Sequence, residues 1–145
     1  MKTRNAYFDT SVIVKNYLRE PGSQRARQLL RTRQVITSAI IGLESMSAFR
    51  RTLASGSIDE NAYATIVTQF HKHREKFKPV EVTAEILETA ETYVSDFNVR
   101  ALDAIHLASA AMIDRRFPKR LPFVTADFAQ RDAALRLGME IVWVE

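Results

Sequence analysis

The feature that most constrains the fold of this chain is the alternation of short β-rich runs with longer segments of helical spacing. Runs of β-branched and aromatic residues predict short strands at residues 6–8, 34–37, 80–82, 123–125 and 141–144. Strands that alternate with helices form βαβ units, in which parallel strands carry helices on both faces of the sheet. We therefore expect an α/β fold whose central parallel sheet has about five short strands.

Between the predicted strands, apolar residues recur once per helical turn, which indicates helices that face a core. The stripes are Leu43, Met46, Phe49 and Leu53; Leu87, Ala90, Val94 and Phe97; and Leu102, Ile105, Ser109 and Met112. Ser57 and Glu60 have the spacing of a capping box and predict the start of a further helix. Gly138 predicts the end of a helix over residues 128–137, and Pro79 and Pro122 are each expected to precede a strand.

The composition fits a single domain spanning residues 1–145, because 46% of the residues are hydrophobic and 26% are charged. No apolar stretch approaches the roughly 20 residues that a membrane span needs. Residues 1–5 lead into the first predicted strand and lack the apolar core of a signal peptide. We therefore expect a cytoplasmic protein with no membrane contact.

Cysteine is absent and histidine occurs only 3 times, which excludes disulfides, thiol nucleophiles and cysteine-based zinc sites. Any bound metal must therefore be held mainly by oxygen atoms. The net charge of +4 favours polyanionic partners.

The charges are also segregated along the chain. Residues 21–43 contain Arg25, Arg27, Arg31 and Arg33 and no acid, whereas residues 81–96 contain only acidic charges. Each run is either a solvated helix face or a contact surface, for RNA in the basic run and for a basic partner in the acidic run.

Four acids are candidate ligand-binding residues, two because they follow strands and two because they lie in apolar helical segments. Asp9 and Asp127 directly follow the first and fourth predicted strands, and the carboxyl ends of parallel strands open at one rim of the sheet. Glu44 and Asp103 lie inside apolar helical segments, where an acid is rarely buried without a partner or a cation. Taken alone, each of these two is also explained as a helix N-terminal acid or as half of a buried ion pair.

Convergence of the acids would favour a metal site. Two unit charges about 4 Å apart repel by about 4 kcal/mol at an effective dielectric constant near 20, whereas a whole domain is stable by about 5 to 15 kcal/mol. A carboxylate cluster therefore requires shared protons or a cation, and Mg²⁺ or Mn²⁺ suits a site of oxygen ligands. Such a site is suited to phosphodiester hydrolysis.

The residues around the acids resemble the successive motifs of PIN domains, in the same order along the chain. The matching segments are residues 7–15 around Asp9, then Glu44, then residues 100–108 with the sequence RALDAIHLA around Asp103, then residues 125–127 ending in Asp127. The resemblance spans nearly the whole chain and is strongest towards the VapC toxins of toxin-antitoxin systems. It implies a PIN fold, Mg²⁺-dependent or Mn²⁺-dependent cleavage of RNA, a homodimer, and inhibition by a cognate antitoxin.

By this resemblance, Asp9 and Asp103 are the principal metal ligands, and Glu44 and Asp127 complete the catalytic cluster directly or through water. The position of the fourth acid varies among such proteins. Asp132 is a lesser candidate for it, and we interpret Asp132 as a surface residue.

Neighbouring polar residues have supporting roles at most. Three hydroxyls either bond a carboxylate or a phosphate, or act as turn and N-cap groups: Thr10, Ser11 and Thr125. His106 is more typical of a hydrogen-bonded buried residue, or of one that orients a ligand, than of a catalytic base. Three arginines either hold RNA phosphates or belong to exposed helix faces and ion pairs: Arg50, Arg51 and Arg100.

Other classes share parts of this pattern. A phosphotransferase of the haloacid-dehalogenase type needs a second acid two residues after its nucleophilic Asp, where this chain has Ser11. A response-regulator receiver needs paired acids beside its first strand and a lysine after a late strand, and neither occurs here. Two alternatives to a toxin stay open: a PIN-like module that binds RNA or protein without cleavage, and a housekeeping RNA-processing nuclease.

Overall fold

The computed structural model describes residues 4–145, so the first three residues of the segment interpreted above as leading into a strand lie outside the described residues. The strands are β1 (Arg4–Phe8), β2 (Arg33–Ser38), β3 (Lys78–Val80), β4 (Phe123–Thr125) and β5 (Ile141–Trp143). The helices are α1 (Thr10–Ile13), which continues into a 3-10 turn at Val14–Asn16, α2 (Ser23–Thr32), α3 (Ile41–Ala54), α4 (Glu60–Arg74), α5 (Ala84–Asp96), α6 (Ala101–Asp114) and α7 (Phe128–Arg136).

The strands form one sheet in the order β3-β2-β1-β4-β5, and every neighbouring pair is parallel. This arrangement confirms the predicted α/β fold with a central parallel sheet. Strand β1 lies at the centre, with Tyr7 opposite Ile36 of β2 and Phe123 of β4. Because the strands all run the same way, their carboxyl ends form one rim of the sheet and their amino ends form the other.

Side chains of β1 alternate between the two faces of the sheet, as the pleat requires. Ala6 and Phe8 join a core with helices α1 to α4, whereas Tyr7 joins a second core with helices α5 to α7. Helices therefore cover both faces, as predicted. Phe8 and Phe49 are fully buried in the first core, and burial of each ring stabilises the fold by about 1.5 to 3 kcal/mol.

The strand boundaries differ from the predicted ones at every strand except β4. Strands β1 and β2 are longer than predicted, because β1 begins at Arg4 and β2 spans Arg33–Ser38. Strand β3 begins at Lys78 instead of residue 80, and Pro79 lies within it opposite Thr37 instead of preceding it. An edge strand tolerates proline because one row of its backbone N–H groups needs no partner strand. Strand β5 ends at Trp143, one residue earlier than predicted, and Pro122 precedes β4 as expected.

The predicted helix ends are confirmed in one case and wrong in another. Helix α7 stops at Arg136, and Gly138 follows in the left-handed conformation with φ +76°. The capping box of Ser57 and Glu60 is wrong, because Asp59 caps α4 by accepting the Ala62 N–H at 2.8 Å. The cap lies two residues later than Ser57, since an aspartate is as good an N-cap as a serine.

The apolar stripes locate the helices correctly but assign several core contacts wrongly. Leu43 is 74% exposed, and Leu87, Val94 and Leu102 are exposed as well. In α5 the buried residues are Ile86 and Ala90, so the buried ridge is offset by one residue at its start. Spacing identifies a helix but does not decide which of two adjacent ridges faces the sheet. Within residues 4–145, no helix is both long and apolar enough to cross a bilayer.

Candidate active site

Asp9 lies at the carboxyl end of the central strand, where the chain leaves β1 and enters α1. Its backbone N–H donates to the Val124 carbonyl of β4 at 3.1 Å, and its side chain caps α1 by accepting the Val12 N–H at 3.4 Å. The Ser11 hydroxyl donates to Oδ1 at 2.5 Å and the Thr125 hydroxyl donates to Oδ2 at 2.6 Å. Both carboxylate oxygens are thereby held in place.

The Asp9 carboxyl is 0% exposed, and this burial sets its chemistry. Removal from water raises the pKa of Asp9 to about 6, although nearby His106 and the donors Ser11 and Thr125 act to lower it. A fully buried carboxyl with a raised pKa gains from a neighbouring positive charge. A cation close to the buried Asp9 carboxylate would therefore stabilise its charged form.

Two hydroxyls link Asp9 to the end of β4. The Thr125 Oγ1 atom accepts the Asp127 N–H at 3.0 Å, and the Ser11 Oγ atom accepts the Ala126 N–H at 3.0 Å. Each hydroxyl thus accepts from the backbone after β4 while it donates to the Asp9 carboxylate. The loop that presents Asp127 is positioned by the same groups that orient Asp9.

Glu44 lies in the first turn of α3 and contacts a second group of polar side chains. Its Oε1 atom accepts from the Thr10 hydroxyl at 2.7 Å and lies 2.7 Å from Nε2 of His106. A carboxylate only accepts hydrogen bonds, so Nε2 carries a proton and donates to Glu44, while Nδ1 is hydrogen-bonded to the Tyr7 hydroxyl at 2.9 Å. His106 is 1% exposed, and it connects the core residue Tyr7 to Glu44.

Asp103 and Asp127 are connected by one buried side chain, that of Gln130. The Gln130 Nε2 atom donates to Oδ1 of Asp103 at 3.0 Å, and the Gln130 backbone N–H donates to Oδ2 of Asp127 at 2.8 Å. Asp127 is thereby the N-cap of α7. Arg100, at the start of α6, lies 4.0 Å from Asp103 and is almost fully exposed.

The acids influence one another electrostatically. Burial and the nearby Asp127 carboxylate raise the pKa of Asp103, with a smaller contribution from Glu44 and opposition from Arg100. Burial also acts to raise the pKa of Glu44, but His106 and Thr10 outweigh it and hold that pKa below its usual range. The charged form of Asp103 is therefore disfavoured in the metal-free protein, whereas the charge of Glu44 is stabilised by its own donors.

The four predicted acids are brought to one rim by these contacts, but they are joined through intervening donors. Within residues 4–145, no group of three or more acidic or histidine side chains stands close enough to hold a metal ion as it is. The donor chemistry nevertheless fits a hard divalent cation, since the ligands are carboxylate oxygens whose charges repel. In addition, Oε1 of buried Gln130 has no hydrogen-bond partner among the described residues, which leaves an unused oxygen beside Asp103 and Asp127.

The remaining candidates lie around this rim. Arg51 donates to the Ser47 hydroxyl at 2.7 Å and helps to lower the pKa of Glu44, while Arg50 is exposed. Asp132 is exposed and lies 3.5 Å from Arg131, which agrees with its interpretation as a surface residue.

The polar contacts of Gln130 and Tyr7 were not identified from the sequence. The spacing of Asp127 and Gln130 is that of an N-cap followed by an N3 glutamine, which was a usable signal. The sequence signal at Tyr7 was weaker, because a tyrosine in a strand is more often a core residue without a functional role. Burial raises the pKa of Tyr7 well above its usual value, so its hydroxyl stays protonated and is hydrogen-bonded to Nδ1 of His106.

The chain is similar to known proteins along most of its length. The family model described as PIN domain matches residues 6–136. The chain is 32% identical over 137 residues to "Ribonuclease VapC46" from Mycobacterium tuberculosis (strain ATCC 25618 / H37Rv), and the match covers 94% of this chain and 95% of the relative.

Solved structures share the fold at low sequence identity. FitAcB from Neisseria gonorrhoeae matches with a TM-score of 0.70 and 16% identity, covering 94% of this chain and 95% of the other. VapBC2 from Rickettsia felis, bound to a DNA fragment from its promoter, matches with a TM-score of 0.63 and 10% identity over 97% and 98% of the two chains. A toxin-antitoxin complex from Klebsiella pneumoniae matches with a TM-score of 0.62 and 19% identity over 85% and 87%.

Proposed function

Because this chain belongs to the PIN-domain family, we propose that it is a divalent-metal-dependent endoribonuclease and the toxin of a toxin-antitoxin pair. One observation carries the proposal: a chain of hydrogen bonds runs from Asp9 through Thr125 to Asp127, and through Gln130 to Asp103. A relative named as a ribonuclease and structural neighbours described as toxin-antitoxin complexes support the same function.

In this proposal Asp9 and Asp103 are the principal metal ligands, with Glu44 and Asp127 completing the catalytic group. Mg²⁺ is the expected ion and Mn²⁺ its substitute, because both prefer oxygen ligands. The chemistry that such an ion supplies when bound is neutralisation of charge and activation of water for attack on a phosphodiester. Gln130 Oε1, which has no hydrogen-bond partner among the described residues, would offer a further oxygen to such an ion.

The surrounding side chains of the protein have positioning roles. Ser11 and Thr125 fix the orientation of the Asp9 carboxylate, and Thr10 and His106 do the same for Glu44. Arg100 extends into solvent beside Asp103, where a guanidinium group is suited to hold a substrate phosphate. These contacts limit the motion of the acids when substrate binds.

The partners in the proposal are RNA as substrate, a cognate antitoxin, and a second copy of the chain in a homodimer that acts in the cytoplasm. The structural neighbour described as a toxin-antitoxin complex supports the antitoxin partner. The net charge of +4 favours a polyanionic substrate.

Cleavage of labelled RNA by the purified protein tests the proposal. We expect cleavage with Mg²⁺ or Mn²⁺ and none with EDTA. Asp9→Asn should lower the cleavage rate by at least about a hundredfold, because loss of a metal ligand costs more activity than loss of a residue that only orients one. Asp132→Asn, which removes an exposed acid from α7, is the matched control and should cleave normally.

Expression in growing cells adds the toxin readout to this test. The wild-type chain should arrest growth when expressed alone, and both Asp9→Asn and co-expression of the antitoxin should relieve the arrest. RNA binding that persists without any metal-dependent cleavage would replace the nuclease by a binding module. Cleavage without growth arrest would favour an RNA-processing enzyme.

A further inference from the structure

The amino ends of the strands, opposite the acids, carry a group of cations that the proposed catalytic site does not use. We define the basic rim as Arg4, Arg27, Arg31, Arg33, Lys76 and Lys119. Two open cavities of about 540 Å³ and 1010 Å³ lie along it, and Arg33 lines both, so the surface is continuous. The smaller cavity has no acid in its lining, and the larger one has only Glu140.

Like charges are paired in the basic rim at two places. Arg4 of β1 is in register with Arg33 of β2, and residues in register on neighbouring strands point to the same face. Arg27 and Arg31 are four residues apart on the exposed side of α2, which places them side by side. Both arrangements are destabilising, and among residues 4–145 none of these four arginines takes part in an ion pair.

Aromatic side chains lie beside these cations. Tyr17 and His73 stack with ring centroids 5.7 Å apart, and the Tyr17 hydroxyl is hydrogen-bonded to Nδ1 of His73 at 2.8 Å. Both rings line the smaller cavity together with Phe77. Cations that hold phosphates next to rings that stack on bases are the combination that single-stranded nucleic acids require. An acidic peptide would use the cations but not the flat rings.

From these observations we infer that the basic rim is a second RNA-binding surface, which holds the phosphodiester backbone of a substrate that extends well beyond the cleavage site. RNA as the ligand rests on the proposed function. Along β1, Arg4 and Asp9 are five residues apart, so the two sites are about 16 Å apart at the strand rise of about 3.3 Å per residue. The preferred substrate is therefore a long RNA and not a short oligonucleotide.

Binding of a long labelled RNA in the presence of EDTA tests the inference separately from cleavage. The test variant is Arg27→Gln/Arg31→Gln, and the matched control is Lys72→Gln/Arg115→Gln, which removes two exposed cations from α4 and from the end of α6. Both variants have the same net charge. Each of the four side chains is exposed, so the fold should tolerate both pairs of substitutions.

We expect the test variant to bind the long RNA about tenfold more weakly. The plot of log binding constant against log salt concentration should also become less steep, by about 1 to 1.5 in slope. The control should bind as the wild type does, and neither variant should change cleavage of a trinucleotide. Equal weakening in both variants, or no weakening in either, would overturn the inference. Loss of antitoxin binding with unchanged RNA binding would also overturn it, in favour of a protein contact. A wild type that binds long RNA through the rim without cutting it would refute only the proposed function.

Discussion

The two rims of the sheet carry opposite charges, and they differ in whether those charges have partners within the protein. At the carboxyl ends, each of the four acids accepts a hydrogen bond from a hydroxyl, an imidazole, an amide side chain or a backbone N–H. At the amino ends, Arg27, Arg31 and Arg33 have no ion-pair partner among residues 4–145. The fold itself therefore organises the acidic rim, which is formed by Asp9, Glu44, Asp103 and Asp127, whereas these arginines of the basic rim have no acidic partner among the described residues.

This contrast follows from how a parallel sheet is connected. The chain enters a helix just after each carboxyl end, so helix N-terminal N–H groups and small hydroxyl residues collect there. Asp9 caps α1 and Asp127 caps α7 in this manner. The amino ends receive the C-terminal parts of helices, where cations are favoured by the helix dipole. Arg31 in the last turn of α2 is an example.

The strongest test of the contrast is the effect of pH on the metal-free protein. Burial raises the pKa of Asp9 to about 6 from the usual 3.8, so between these values the folded protein holds a proton that the unfolded chain has released. The free energy of unfolding should therefore fall by about 3 kcal/mol from this group as the pH rises from about 4 to about 7. Urea denaturation at several pH values measures it.

The Asp9→Asn variant is the control for this pH effect, because it lacks the titrating group and keeps the side-chain shape. Between about pH 4 and about pH 7, the free energy of unfolding of this variant should lack the decrease of about 3 kcal/mol that Asp9 contributes in the wild type. Parallel curves for the two proteins would mean that Asp9 stays charged when buried, and the acidic rim would then need no cation.

The next largest effect is expected from a hydroxyl of the acidic rim. Thr125→Val removes the donor to Asp9 and the acceptor of the Asp127 N–H, both in a buried setting, so it should lower the free energy of unfolding by about 1 to 3 kcal/mol. Thr65→Val is the matched control, since the exposed Thr65 hydroxyl bonds only a carbonyl of its own helix. If both variants lose equal stability, the donors of the acidic rim are not what organises it.

The smallest effect concerns repulsion between the acids. Asp103→Asn removes a charge beside Asp127 but keeps an oxygen for Gln130. It should therefore raise the free energy of unfolding of the metal-free protein by less than about 1 kcal/mol, measured as a small rise in melting temperature. Added Mn²⁺ should raise the melting temperature of the wild type and have less effect on Asp103→Asn. Asp132→Asn should respond to Mn²⁺ as the wild type does. A variant Asp103→Asn that matches the wild type in both conditions would argue against any interaction among the acids.

Much of the fold was predictable because its strongest signals are local. The β-rich runs and the helical spacing identify the parallel sheet, and Gly138 marks a helix end through a conformation that favours glycine. The limits of β3 were not predictable, since Pro79 is compatible with a strand only at the edge of a sheet and strand order is a property of the whole fold. The exposure of Leu43 likewise depends on how α3 is rotated against its neighbours.

Some features of the candidate site were likewise predictable from the sequence, and others were not. The acids at the ends of β1 and β4 follow from the rule that parallel strands open at one rim, so Asp9 and Asp127 were identifiable from the sequence. The connection of Asp127 to Asp103 through Gln130 was not identifiable, because it requires α6 and α7 to lie side by side. The role of Tyr7 was also hidden, since its hydroxyl reaches a histidine 99 positions further along the chain.

The hydrogen bond between Thr125 and Asp9 joins residues 116 positions apart, across neighbouring strands. Contacts between such distant parts of a chain form only after the intervening segment has been made and folded. During translation, a ribosome that has produced the first strand and its acid still lacks the hydroxyl, the capping aspartate and the glutamine that organise them. Under the proposed function, the nascent polypeptide is therefore expected to cleave no RNA until synthesis is nearly finished.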